Sequence, residues 1–188
     1  MPTQPTTATP PAPVVLRALE EADLDKLCQL DTEPAVSEPH QWFGFKNPQA
    51  RRRRWEEDGY LGGDYRMLAV ALPDADRTFA GIVSWRTVPW GVPEGACLEI
   101  GILLWPEHRG RGLGTAAQRL LADYLFETTA ANRLQATTGA DNIPEQRALE
   151  RAGFQREGVL RGVGFLHGAW RDGLLYSRLR GDAAPAVS

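Results

Sequence analysis

An apolar run, a turn of glycine and arginine, and an amphipathic helix follow one another between Cys97 and Phe126, and few folds can use that order. Cys97-Leu98-Glu99-Ile100-Gly101-Ile102-Leu103-Leu104-Trp105 has the length and bulky apolar content of a buried strand. Pro106 has no backbone donor and closes it. In Arg109-Gly110-Arg111-Gly112-Leu113-Gly114-Thr115, alternating glycines free the backbone for conformations other residues avoid and allow a ligand to come close. Leu113, Ala116, Ala117, Leu120, Leu121, Tyr124 and Leu125 then recur at helical spacing, which predicts one apolar face. A helix opened by such a turn aims several unpaired N–H groups at one point, at the positive end of its dipole. That is a phosphate-binding arrangement, and Arg109 and Arg111 add charge beside it.

The turn is not a P-loop, because no Lys-Ser/Thr follows the glycines, and Thr115 stands where a dinucleotide fingerprint needs its last glycine. Read as Arg109-x-x-Gly112-x-Gly114, it resembles the acetyl-CoA pyrophosphate loop of the GNAT N-acetyltransferase superfamily. A second stretch, Asn142-x-x-Glu145-x-Arg147-Ala148-Leu149-Glu150-Arg151-Ala152-Gly153-Phe154, is similar to that superfamily's asparagine followed by a helix ending in Gly-Phe. Glu157 to Arg161 and Gly168 to Asp172 with Tyr176 look like the tail of the ribosomal-protein N-terminal acetyltransferase branch. The match runs roughly from residue 14 to residue 180.

The resemblance implies an α/β GNAT fold. Its central sheet is mixed, mostly antiparallel and twisted, with about seven strands splayed at the acetyl-CoA site and about four flanking helices. It implies acetyl-CoA as cosubstrate and acetyl transfer to a primary amine of a small molecule or a protein N-terminus. The alternative is a CoA-binding sensor or partner protein without turnover. It also makes a homodimer plausible. Many members of that superfamily protonate the departing thiolate with a serine or tyrosine of the second-motif helix; by the resemblance the serine position is Glu145 here and the tyrosine position Leu149, and Gly164 stands at the branch's catalytic glutamate. Those departures tilt the acceptor toward a small molecule.

Composition bounds the rest. A chain of 188 residues, 43% hydrophobic and 24% charged, suits one soluble domain with one core. A net charge of −3 gives no global pull toward nucleic acid or membrane. No apolar run reaches the ~18 residues of a membrane span, and the N-terminus lacks the order of a signal peptide. Cys28 and Cys97, far apart and inside apolar patterns, read as buried free thiols of a reducing compartment. The cytoplasm is the expected location. His40, His108 and His167 have no metal-ligand spacing.

Residues 1–13 have nothing to bury and read as a disordered lead, with the acetyltransferase domain over 14–181 and a short disordered tail over 182–188. The patterns predict strands at Val14–Arg17, Tyr65–Leu72, Thr78–Val88, Arg133–Thr138, and near Phe154–Leu160 and Gly173–Arg180. Helices are predicted over Glu20–Leu30, Pro48–Asp58 and Ile143–Ala152, with Thr32–Asn47 an aromatic-rich loop and Pro89–Gly95 a turn. The Arg51–Arg54 run, followed by Glu56, Glu57 and Asp58, reads as a solvated face with the i,i+4 pairs Arg53–Glu57 and Arg54–Asp58.

Candidate roles follow. The backbone N–H groups of Arg109, Gly110, Arg111, Gly112, Leu113, Gly114 and Thr115 are assigned to the diphosphate. By resemblance, the main chain of Ile102, Leu103 and Leu104 pairs with the extended pantetheine arm as an added strand would. By resemblance Asn142 holds the arm from the other side, or it caps its helix, and Arg147 on the same helix is a further candidate for binding the cosubstrate. An amine with a pKa of roughly 8 to 10 is mostly protonated at neutral pH and must lose a proton before it attacks. Glu99, an acid within an apolar strand, is the candidate base, with a structural ion pair as the competing reading. Trp42, Phe43, Phe45, Trp85, Trp90 and Phe165 are candidates for the acceptor pocket. No serine or cysteine stands in a nucleophile setting, which favours direct attack in a ternary complex over an acetylated enzyme.

Overall fold

The computed structural model describes residues 13–90, 93 and 96–183. Most of the expected lead, the tail beyond residue 183 and much of the Pro89–Gly95 turn lie outside the described residues. The elements run β1 (Val15–Arg17), α1 (Leu24–Thr32), α2 (Pro34–Ser37), α3 (Pro48–Asp58), β2 (Tyr65–Ala71), β3 (Phe79–Thr87), β4 (Cys97–Leu104), α4 (Leu113–Thr128), β5 (Arg133–Gly139), α5 (Ile143–Arg151), β6 (Gln155–Leu166) and β7 (Ala169–Leu179). Among the described residues no helix is long and apolar enough to cross a membrane.

The seven strands form one sheet in the order β1-β2-β3-β4-β5-β7-β6, antiparallel except at β4–β5. Alternation along β4 divides two apolar layers. Ile100, Ile102 and Leu104 face the layer under α4 and α5, where Leu121, Leu125, Leu134 and Leu149 are fully buried. Leu103 faces the opposite layer, where Leu24, Leu27, Met67 and Ile82 pack beneath α1 and α3. The register of β3 and β4 passes through Gly101 without a shift, so that glycine makes no bulge.

Four expectations need correction. Thr32–Asn47 is not all loop: Pro34 at the first turn opens the four-residue α2, too short to leave a periodic signature. The last strands are longer than their apolar patterns, because bulges at Arg156/Gly158 and Leu160/Gly164 let β6 continue past its glycines to a turn at His167 and Gly168. The arginine run is also not simply solvated. Arg54 makes the expected pair with Asp58 at 3.0 Å, but Arg51 reaches buried Asp31 at 2.6 Å and Arg52 reaches Asp25, tying α3 to α1. Cys97 is buried as expected, whereas Cys28 is half-buried.

Candidate active site

β4 and β5 pair only from Cys97–Glu99 against Arg133–Gln135. Beyond that point β4 continues to Leu104 along β3, and β5 continues to Gly139 along β7, so the sheet parts between them. The edge of β4 from Ile100 onward is left without a strand partner.

Gly112 caps α4 at φ 77°, in the left-handed region where a side chain is strained, and Gly110 is at φ 71°. No side chain among the described residues caps the helix. Among the described residues, the N–H groups of Gly110 through Thr115 have no hydrogen-bond partner, and the first one satisfied is that of Ala116, bonded to Gly112 O at 3.2 Å. Gly110, Gly112, Gly114 and Thr115 line a cavity of about 840 Å³ whose other lining residues include Asn142 and, from α5, Glu145, Arg147, Ala148 and Arg151. The Ile102–Leu104 edge borders it as well.

Other candidates take different stations. Arg109 spends its N–H on Pro106 O at 3.2 Å. Its guanidinium bonds Leu104 O at 2.8 Å, Glu38 O at 3.0 Å and Val36 O, fixing the α2 segment over the end of β4. Burial lowers its pKa from the usual arginine value. Arg111 turns to His108 Nδ1 at 3.5 Å, and Leu113 is buried, so these two bring backbone alone to the turn. Ile102 O, pointing away from β3, accepts from Gln41 Nε2 at 2.9 Å, a side-chain amide placed where a ligand amide would pair. The Leu103 carbonyl lies on the β3 side, against Gly81. Asn142 caps α5, its Oδ1 accepting from Glu145 N at 3.4 Å.

Glu99 does not stand alone among apolar groups. Arg86, its register partner on β3, donates to Oε2 from Nε at 2.8 Å, and Thr137 Oγ1 donates to Oε1 at 3.4 Å across the split. Thr137, Ser84 and Gly101 line a second cavity of about 380 Å³ on the α1–α3 side, with Phe43, Lys46 and Arg51 among the other lining residues. The two cavities share Ser37, His40, Gln41, Ile102 and Leu103, and therefore meet at the split. Of the aromatic candidates, Phe43 lines this second cavity. Trp85 is core, Trp42 stacks edge-on to Phe45 and Phe165 to Trp170, and Trp90 reaches Gln135. Tyr176, 1% exposed and donating to Glu150 at 3.3 Å, belongs to the core.

Sequence reasoning missed Arg86, Gln41 and Gly81. The first depends on strand register and the second on a loop path, but Gly81 inside an apolar strand did carry a signal of close backbone approach.

A sheet parted beside a helix terminus without a side-chain cap, with a larger cavity at that terminus and a smaller one meeting it at the split, is the arrangement a group-transfer enzyme needs to bring two substrates together. Residues 14–155 match the family described as the acetyltransferase (GNAT) domain, and the chain belongs to that family, whose cosubstrate is acetyl-CoA. It is 27% identical to the uncharacterized N-acetyltransferase p20 of Bacillus licheniformis over 91% of this chain and 95% of that one. To the spermidine N(1)-acetyltransferase of Escherichia coli (strain K12) it is 30% identical, over 86% of this chain and 83% of that one. A ribosomal α-N-protein acetyltransferase solved in complex with coenzyme A has the same fold, with a TM-score of 0.74 at 19% identity, covering 88% of this chain and 93% of that one.

Proposed function

We propose that this chain moves the acetyl group of acetyl-CoA to a primary amine of a small molecule bound in the cavity under α1 and α3, by direct attack in a ternary complex. The observation that carries the reading is the row of N–H groups from Gly110 to Thr115 without partners among the described residues, which opens into a cavity bordered by the part of β4 that β5 does not cover. Main-chain donors at the positive end of α4 suit a diphosphate, and a thioester laid along Ile102–Leu104 would reach the split, where the second cavity begins. Glu99, on the acceptor side of the sheet, is the group we assign to receive the amine's proton, directly or through water. Arg86 and Thr137 orient its carboxylate.

The acceptor cavity has a chemical preference of its own. Of its basic lining residues His40, Lys46 and Arg51, Arg51 is paired with Asp31 at 2.6 Å, which leaves Lys46 as the cation without an ion-pair partner among the described residues. A polyamine would bring several ammonium groups up to Lys46, in a cavity with no carboxylate among its described lining residues. We therefore assign the acceptor to amines that also carry an anionic or neutral polar group, and expect spermidine to be poor despite the relative that acetylates it.

Thiol release from acetyl-CoA tests both points, measured across a panel of amino acids, dipeptides, neutral amines and spermidine. The expected result is release with carboxylate-bearing or neutral amines above spermidine. Tight CoA binding with no release across the panel would support a CoA-binding protein without turnover instead.

A further inference from the structure

Gly101 stands in the middle of β4 with no demand of the fold for a glycine there. A glycine inside a strand costs conformational entropy and leaves the strand nothing to pack. It is found in that setting at a bulge, where another backbone comes close, or where a ligand does. There is no bulge, because β3 and β4 run through Ser84↔Gly101 in unbroken register. Nor is the backbone left-handed, since its φ is not positive. Neither does a neighbouring backbone crowd it. Chain neighbours aside, a Cβ at Gly101 would meet one atom within 4 Å, Ser84 Oγ at 3.0 Å. Gly81 on the adjacent strand is the opposite case, with Leu103 O at 2.3 Å. What the missing side chain leaves open is the smaller cavity of about 380 Å³, which Gly101 lines together with Ser84, Leu103 and Thr137.

The place of that opening bears on what it would hold. Glu99 lies two residues back on the same face of β4. Its Oε1 accepts from Thr137 Oγ1 at 3.4 Å across the split, and Thr137 lines the cavity with Gly101. Residues on one strand face are about 7 Å apart. An amine within hydrogen-bonding distance of Glu99 therefore has its own carbon beside Gly101.

We propose that Gly101 is a specificity-determining residue, and that the room left by its missing side chain takes a second substituent on the carbon that bears the amine. The acceptors are then primary amines on branched carbons, and amines at the end of a straight chain do not use that room. This rests on the acetyltransferase reading and on Glu99 as the group that receives the proton. Where the substituent is a carboxylate, Lys46 lines the same cavity without an ion-pair partner among the described residues. An alanine at position 101 would put its methyl group where the substituent goes. The only atom it asks to yield is the Ser84 hydroxyl oxygen, which turns about a single bond.

Paired acceptors that differ by one methyl group on the amine-bearing carbon test this: glycine against alanine, and glycinamide against alaninamide, read by thiol release from acetyl-CoA. The wild type should use the branched member of each pair at least as well as the unbranched one. In Gly101→Ala the branched-to-unbranched ratio of kcat/KM should fall by about 10–200-fold. The Kd for CoA by calorimetry and the Tm should match wild type, which separates lost room from a damaged fold. The double variant Gly101→Ala/Ser84→Ala should show the same fall. An unchanged ratio in Gly101→Ala overturns the proposal. So does a ratio restored in the double variant, which would place the effect on crowding at Ser84, and so does a loss of CoA affinity or Tm, which would make Gly101 a packing residue. Wild-type turnover of the unbranched amines alone overturns it too, while leaving the acetyltransferase reading intact. Failure of the wild type to release thiol with any amine sinks that reading, and this proposal with it.

Discussion

Gly81→Ala puts one methyl group between the two strands on which the site depends. A Cβ at Gly81 would stand 2.3 Å from Leu103 O, 2.8 Å from Leu104 Cδ2 and 3.0 Å from Leu104 Cα. Two of the three atoms are backbone, so no rotamer change relieves the contact. Restoring even a tight separation parts β3 and β4 by about 0.7 Å at that point. Overpacking of this kind costs about 1–3 kcal/mol. In a chain of this size each kcal/mol lowers Tm by about 2–4 °C, so the expected loss is about 2–12 °C. The displaced segment is also the edge bordering both cavities, and misplacement by about an ångström costs on the order of a hundredfold in rate. Thermal denaturation and thiol-release kinetics measure the two effects. Gly158→Ala, where a Cβ meets nothing within 4 Å, is the control. If Gly81→Ala matches the control in both Tm and kcat, the claim that this close approach sets the position of β4 is refuted.

Other expectations are narrower. Gly112→Val forces a β-branched residue to φ 77°, a strain of about 1–3 kcal/mol that a typical stability of about 5–15 kcal/mol tolerates. It should leave the circular dichroism spectrum intact and weaken CoA binding by calorimetry at least tenfold, and wild-type affinity would count against the cradle. Glu99→Gln should lower kcat by about 10²–10⁴-fold while leaving CoA affinity unchanged, and an unaltered rate–pH profile removes Glu99 from the role of base. Glu157 is held down to about 2 by Arg133 and then Ser177. A depressed carboxyl stabilises the fold fully above its unfolded value near 4.3, and that stability is lost as pH falls toward about 2. Denaturant titrations should therefore show a flatter acid limb in Glu157→Gln than in wild type between about pH 5 and pH 2; parallel limbs would contradict this.

The glycine turn that we assign to the diphosphate is legible in the sequence because everything that makes it lies within a few residues: the glycines, the proline ahead of them and the apolar face behind. The division of β4 into two faces follows from alternation alone. Where β4 leaves β5 does not, since Cys97 and Arg133 meet only after a helical crossover. The same limit hides the work of Arg109, whose carbonyl partners on Glu38 and Val36 lie 71 and 73 residues away. Arg86 opposite Glu99 needs the register of β3 on β4, and Asp31 under Arg51 needs the packing of α1 on α3. Glu145 shows both sides of the matter. Its position in the second motif could be read from the chain, but its burial against Gln118 comes only with the docking of α5 on α4.

The most direct test of the whole account is a crystal structure of this chain grown with CoA. The diphosphate should lie within hydrogen-bonding distance of the amides between Gly110 and Thr115, with the pantetheine arm along Ile102–Leu104 and the sulfur at the junction of the two cavities. A diphosphate bound elsewhere, with those amides turned to solvent, would contradict it.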